Sequence, residues 1–244
     1  MTTNSNFIFP NMSLPFFFFE AIADGVEEYV LTEDTSKHIV QVLRMTIGDQ
    51  LLLTDGKGNL LTAAIKDDHR KRCVVKKIKQ EFVPRQERQI TIAISPLKNN
   101  TRLEWMLEKA TEVGVGAIIP LMCKRTEKQH LRTDRLKGIL VSAMLQSKQA
   151  WLCELSEPTD FSTVIKHTAA THRFIAHCEP DAKSSLREQK VQGSAIVLIG
   201  PEGDFTHEEI REALDGGYSP VSLGETRLRT ETAGLVAAVQ LCVK

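Results

Sequence analysis

The chain has 244 residues, enough for one large domain or for a medium and a small one. Its apolar fraction of 42% is that of an ordinary globular protein, and Lys plus Arg balances Asp plus Glu at 31 each. Zero net charge excludes nucleic-acid binding through the bulk field, so any such affinity must come from local patches.

Residues 1–15 are polar, contain two prolines, and are expected to be loosely ordered. The phenylalanine run at 16–19 is far shorter than the roughly 20 apolar residues that span a bilayer. No basic residue precedes it, so it reads as a core strand and not as a signal peptide or an anchor. A cytoplasmic protein without a membrane segment is the expectation. From residue 16 to 83 short strands and turns follow one another. One helix is predicted from Thr35 to Arg44, with Ile39, Val42 and Leu43 on one face. Asp55-Gly56 and Gly58-Asn59, set between apolar runs, predict a hairpin over 48–65. Residues 72–78 read as a further strand. The pattern predicts a small, mostly antiparallel β-barrel over 1–83.

The segment 82–89 is polar, aperiodic and holds Pro84, which suits a domain boundary. Beyond it strands and helices alternate. Strands are predicted at 90–95, 116–122, 172–178, 195–199 and 221–223, and helices around 103–113, over 133–149 and over 230–241. Alternation of this kind predicts a parallel α/β sheet over 90–244. Thr206 followed by Glu209 has the form of a capping box, so a helix starts there. The five cysteines are odd in number, widely spaced and without a C-x-x-C pair, so neither a disulfide framework nor a structural zinc site is expected. No metal site is predicted.

Two strings carry the chemistry: AIVLIGPEGDF at 195–205 and SLGETRLRTETAGLVAAVQL at 222–241. Each runs from a strand through a glycine-bearing loop into a helix, and ligands bind at that edge of an open α/β sheet. Gly200 and Gly203 allow close backbone approach, but the loop has neither the spacing nor the Lys-Ser/Thr of a P-loop. Leu198, Ile199, Leu223 and Leu228 would be apolar walls for an adenosine-type ligand. Two ordinary βα turns are the competing reading. Arg229 and Glu231 crowd a strand end beside a buried helix, either as a structural pair or as part of an active site. Basic residues cluster between 66 and 79, including Lys76, Lys77 and Lys79, and again between 124 and 137, including Arg125; Arg44 would extend the first cluster. One such run is commonly a solvated face, whereas one in each domain makes a phosphate track.

Together these strings resemble the bacterial 16S ribosomal RNA uridine-N3 methyltransferases of the SPOUT class. IGPEGDF at 199–205 is similar to that family's I-G-P-E-G-G-F string. SLGETRLRTETA at 222–233 is similar to its S-L-G-x-x-x-L-R-T-E-T-A string. Further matches run through Lys109, Glu112, Gly114 and Val115, and through the module at 38–58. The resemblance implies an N-terminal PUA-like barrel that grips RNA and a C-terminal domain closed by a deep trefoil knot. It implies a homodimer acting on 16S ribosomal RNA or the small subunit, with S-adenosyl-L-methionine as methyl donor. The donor would lie against His177, Leu198, Ile199, Gly200, Pro201, Glu202, Gly203, Leu223, Gly224, Leu228 and Arg229, with Cys178 nearby. Arg229 would stabilise the uridine anion, and Glu202 or Glu231 would take its proton. Another RNA target, or RNA binding without catalysis, are the competing functions. The chain departs from the pattern in two places: Asp204 replaces a glycine, and Lys148 and Gln149 replace a glycine and an arginine after Gln146 and Ser147. Lys148 would then stand in as an RNA contact, as a point charge without the arginine fork.

Overall fold

The computed structural model describes residues 13–127, 130–180 and 182–243. The expected looseness of 1–15 falls mostly outside these residues; at its described end, the Leu52 amide donates to the Pro15 carbonyl at 2.8 Å. The chain divides into two compact units. The first holds residues up to Pro84 together with Lys148–Trp151, and the second holds Arg85–Ser147 and Leu152–Lys244.

In the first unit five strands form one sheet: β1 (Phe16–Phe18), β2 (Glu28–Val30), β3 (Gln50–Thr54), β4 (Asn59–Asp67) and β5 (Val74–Phe82), in the order β1-β3-β4-β5-β2. The ladders are antiparallel except β1 with β3, which is parallel. The end strands curl towards each other. Phe17 of β1 and Tyr29 of β2 share one core with Leu51, Leu53 and Leu61, and the rings of Phe19 and Tyr29 meet edge to face at 5.6 Å.

The hairpin turn between β3 and β4 is held by Asp55, whose carboxylate accepts from the Lys57 amide at 2.8 Å and the Asn59 side chain at 2.6 Å. Trp151 covers this turn. Its indole donates to the Val83 carbonyl at 2.8 Å, and its ring meets Phe82 at 5.9 Å. Gly58 is required there, with φ of 95° and an added Cβ only 2.6 Å from the indole.

The predicted helix at 35–44 is different in detail. Helix α1 spans Glu33–Lys37, capped by Thr32, and runs into a π turn over His38–Val42. The wider turn rotates later residues off the core face. Ile39 is fully buried, but Val42 and Leu43 are exposed. Arg44 ends the element at φ 56°.

The second unit is an all-parallel sheet built from β6 (Gln89–Ile94), β7 (Ala117–Met122), β8 (Glu154–Leu155), β9 (Thr159–Asp160), β10 (His172–Ala176), β11 (Ser184–Ser185), β12 (Ser194–Ile199) and β13 (Ser219–Ser222). The order is β11-β13-β10-β12-β6-β7-β8, with β9 paired to β7. Helices α2 (Asn100–Glu112), α3 (Thr133–Gln146), α4 (Phe161–His167), α5 (His207–Asp215) and α6 (Thr230–Cys242) cover both faces. Helix α3 stops short of the predicted 149 because Lys148 adopts φ 56°, outside the helical region. Strand side chains alternate between the faces. Val197 and Ile199 of β12 pack under α2, α3 and α6, while Ile196 and Leu198 pack under α4 and α5. Ala-rich α6 lies flat on the sheet because Gly234 brings its backbone close to Ile94 and Met106.

Candidate functional site

Parallel pairing sets four strand ends in one row: Val221 beside Ala176, Ala176 beside Ile199, and Ile199 beside Ile94. From β6 the chain order runs one way to β7 and the other way to β12, so this edge carries the topological switch point at which open sheets bind ligands. A cavity of about 500 Å³ lies there, among Ala176, Ile199, the loop Gly200–Pro201–Glu202 and the start of α6. A second, of about 390 Å³, adjoins it through Ala176, Cys178, Arg227, Leu228 and Ala233. Each volume is in the usual range for a small-molecule site.

The two strings fold as they do for local reasons. After Ile199 the chain turns back so tightly that a Cβ on Gly200 would meet the Phe205 ring at 3.1 Å. Phe205 is buried against Phe161, which anchors the far end of the loop. Helix α5 then starts on a complete capping box: the Glu209 amide donates to Thr206 Oγ1 at 3.2 Å, and the Thr206 amide donates to Glu209 Oε2 at 2.8 Å. Glu209, buried in spite of its charge, also accepts from the Lys124 amide at 2.7 Å. The next residue, Arg125, donates to the Gly203 carbonyl at 2.7 Å. The exit of β7 is therefore bonded to the glycine loop.

Asp204 occupies the left-handed region at φ 62°, which Asp tolerates better than most residues. Its carboxylate accepts from the Cys178 amide and the Phe205 amide, each at 2.8 Å. Cys178 is the exposed cysteine at the boundary of the two cavities. Its thiol is pushed up first by burial and then by the Asp204 carboxylate. Cys73, Cys123 and Cys153 are buried and Cys242 is half-buried.

Of the residues singled out from sequence, Ile199, Gly200, Pro201, Glu202, Leu228, Arg229 and Glu231 line the first cavity, and His177, Leu223, Gly224 and Leu228 line the second. Leu198 does not. Strand alternation turns it to the opposite face, where it is fully buried in the α4–α5 core. Gly203 lies off both cavities, with its carbonyl taken by Arg125. Glu231 is buried and its ion pair is with Arg102, at 3.6 Å, not with Arg229. Arg102 had no signal in helical periodicity. Its signal was position: it stands in the first turn of the helix that follows β6, on the carboxyl edge of the sheet. Arg229 is the exposed N-cap of α6 and provides no side-chain cap. The helix thus presents its amide end at the cavity, where negative charge is favoured.

The basic candidates differ in their surroundings. Lys77 pairs with Glu27 at 2.9 Å and Lys79 with Glu81 at 2.7 Å. Lys148 donates to the Leu14 carbonyl at 3.1 Å and lies 5.4 Å from the Phe16 ring centre. Arg125 is bound to the glycine loop as above. Arg44 and Lys76 are exposed and, among the described residues, without an ion pair. Lys128, in the second basic run, lies outside the described residues. Among the described residues no cluster of His, Cys, Asp or Glu is placed to hold a metal, and no helix is long and apolar enough to cross a membrane.

A two-faced parallel sheet with a charged cavity at its switch point defines an α/β ligand-binding domain, joined here to a small β domain. The chain belongs to the RNA methyltransferase domain family, which matches residues 84–241, and residues 31–78 match the RNA methyltransferase PUA domain. It is 28% identical over 220 residues to the ribosomal RNA small subunit methyltransferase E of Synechocystis sp., covering 86% of this chain and 71% of that one. Among solved structures, a probable rRNA-methyltransferase from Porphyromonas gingivalis is 41% identical with a TM-score of 0.87, over 92% of this chain and 95% of that one. The ribosomal RNA small subunit methyltransferase E from Neisseria gonorrhoeae, solved bound to S-adenosyl methionine, is 25% identical with a TM-score of 0.82, over 93% of this chain and 97% of that one.

Proposed function

We propose that this chain methylates N3 of a uridine in 16S ribosomal RNA, using S-adenosyl-methionine. The observation that carries the reading is the pair of joined cavities at the carboxyl edge of the sheet, one with His177, Leu223 and Gly224 in its wall and the other with Arg102, Glu202, Arg229 and Glu231 in its wall. The donor chemistry fits. The Leu223–Gly224 backbone, Leu228 and His177 suit a nucleoside, and the amide end of α6 suits a carboxylate or a developing anion. S-adenosyl-methionine would supply an electrophilic methyl group. The protein's part is to hold the base, remove the N3 proton and bear the charge that appears on the uracil oxygens.

Arg229, exposed at the mouth, is the fixed cation for those oxygens. Glu202 is exposed on the cavity rim and can pass a proton on to water, so it is the acceptor we favour. Glu231, buried and paired with Arg102, positions the charges instead. The target base must leave its stack to reach this edge. The N-terminal unit would hold the RNA through its free basic residues, Arg44 and Lys76. We further propose, from the resemblance to the SPOUT class alone, that the chain acts in the cytoplasm as a homodimer with its C-terminal segment threaded as a knot; light scattering of the purified protein tests the dimer.

Calorimetry with S-adenosyl-methionine, and mapping of N3-methyluridine in small-subunit ribosomal RNA from a deletion strain with and without complementation, test the function directly. Binding together with a methyl group that disappears on deletion and returns on complementation is expected. Single-turnover methylation by Arg229→Ala should fall by about 10²–10³, the usual loss for a transition-state charge partner; transfer at the unaltered rate would remove Arg229 from its role.

A further inference from the structure

We propose that Asp204 is a positioning residue, a latch that sets the glycine loop in its binding-ready form before ligand arrives. The inference rests on the function proposed above and deepens it. Four observations meet at this side chain. Its backbone holds the left-handed φ of 62° that lets the loop reverse. One carboxylate oxygen takes the amide of Phe205, the buried anchor at the end of the loop. The other takes the amide of Cys178, just past the end of β10 on the neighbouring strand. The same residue lines the first cavity beside Pro201 and Glu202.

A glycine at this position would accept the same φ but could bond neither amide. The loop would then be tied by Phe205, by the backbone bond from residue 204 to the Pro201 carbonyl at 2.9 Å and by Arg125 at Gly203, while its join to the β10 exit was broken. Glu202 and Pro201 lie between those ties and the strand, so their place on the cavity wall depends on the latch. A wall not already in place must be ordered at the moment of binding, which weakens affinity. Glycine therefore isolates the two bonds from the backbone angle. Asparagine tolerates the angle and keeps one acceptor oxygen, so it retains one of the two bonds.

The test uses the full chain and its Asp204→Gly and Asp204→Asn variants, titrated with S-adenosyl-methionine by calorimetry. Single-turnover rates are measured at saturating ligand, and amide hydrogen exchange over residues 178 and 200–205 is followed in ligand-free protein. The expected result is a Kd about tenfold higher for Asp204→Gly, equivalent to about 1.4 kcal/mol. Asp204→Asn should be intermediate. At saturating ligand the rate should return to within about threefold of wild type, because a loop ordered by ligand restores the geometry. Ligand-free wild type should already protect the Cys178 and Phe205 amides. If Asp204→Gly binds within twofold of wild type, or if those amides exchange freely until ligand is added, the latch is refuted. The exchange measurement needs no variant, so it decides even where Asp204→Gly does not fold. Wild type that fails to bind S-adenosyl-methionine overturns the proposed function instead, a distinguishable outcome.

Discussion

Glu209 offers the sharpest test of how the site is held. Its two oxygens accept from the amides of Thr206 and Lys124 at 2.8 and 2.7 Å, and the residue is only 3% exposed. Replacing it with alanine removes both bonds and leaves two amide donors in a partly buried place. Hydrogen bonds to a charged group contribute about 1.5–3 kcal/mol each, and the cap itself is included in that figure. Glu209→Ala should therefore cost about 3–6 kcal/mol. At about 2–4 °C per kcal/mol for a unit of this size, the thermal transition should fall by at least 6 °C. Glu209→Gln keeps one acceptor and should lose about half as much. Because Lys124 is bonded to Glu209 and the adjacent Arg125 to Gly203, ligand affinity should weaken along with stability. Scanning calorimetry of the three proteins measures this. A Glu209→Ala protein that melts within about 2 °C of wild type would refute the claim that this carboxylate ties α5, the β7 exit and the glycine loop together.

Three further outcomes are expected. Gly58→Ala should destabilise the first unit by about 2–4 kcal/mol, from a left-handed φ and a Cβ driven into the Trp151 ring; an unchanged urea midpoint by Trp fluorescence would contradict it. In native protein one thiol, Cys178, should react with a maleimide or disulfide reagent, slowly at neutral pH and faster as pH rises, since the thiolate is the reactive form and burial with Asp204 raises its pKa. Cys73 and Cys242, each pushed up to about 11 mainly by burial, should react only on unfolding. Charge reversal at Arg44 and Lys76 should lower RNA affinity and flatten its salt dependence by about one unit of slope for each phosphate that is no longer neutralised. The same change at Lys79, already paired with Glu81, should do much less; equal effects at the three positions would argue against the distinction.

What sequence reading could reach depended on the range of the interaction. The capping box of Thr206 and Glu209 and the hairpin of Asp55 to Asn59 are written within a few residues, and both are legible. So were the longer alternating strands and helices, because each announces its own period, whereas β8, β9, β11 and helix α4 are too short to show one and were missed. The first helix misled because a π turn changes the period that places Val42 and Leu43. Leu198 misled because a fully apolar strand gives no hint of which face looks towards the loop. Arg102 and its partner Glu231 come from segments far apart in sequence, and only the row of strand ends brings them together. Asp204 looked like a defect in a glycine string; its reason lies 26 residues upstream, in the amide of Cys178. The basic runs were visible as composition, but which lysines are already neutralised is decided by cross-strand neighbours such as Glu27.

The four residues Lys148–Trp151 belong with the first unit although a long stretch of the second precedes them. Their contribution there is specific: the Ala150 carbonyl receives the Gly58 amide at 3.0 Å, and Trp151 covers the hairpin turn. Synthesis runs from the N-terminus, so the small β domain emerges from the ribosome before the tryptophan that completes it. It must wait, with Gly58 and Val83 open to water, until much of the following domain has been translated. A fragment ending at Pro84 is left permanently in that state, and expressing it alone would yield a domain missing part of its own wall.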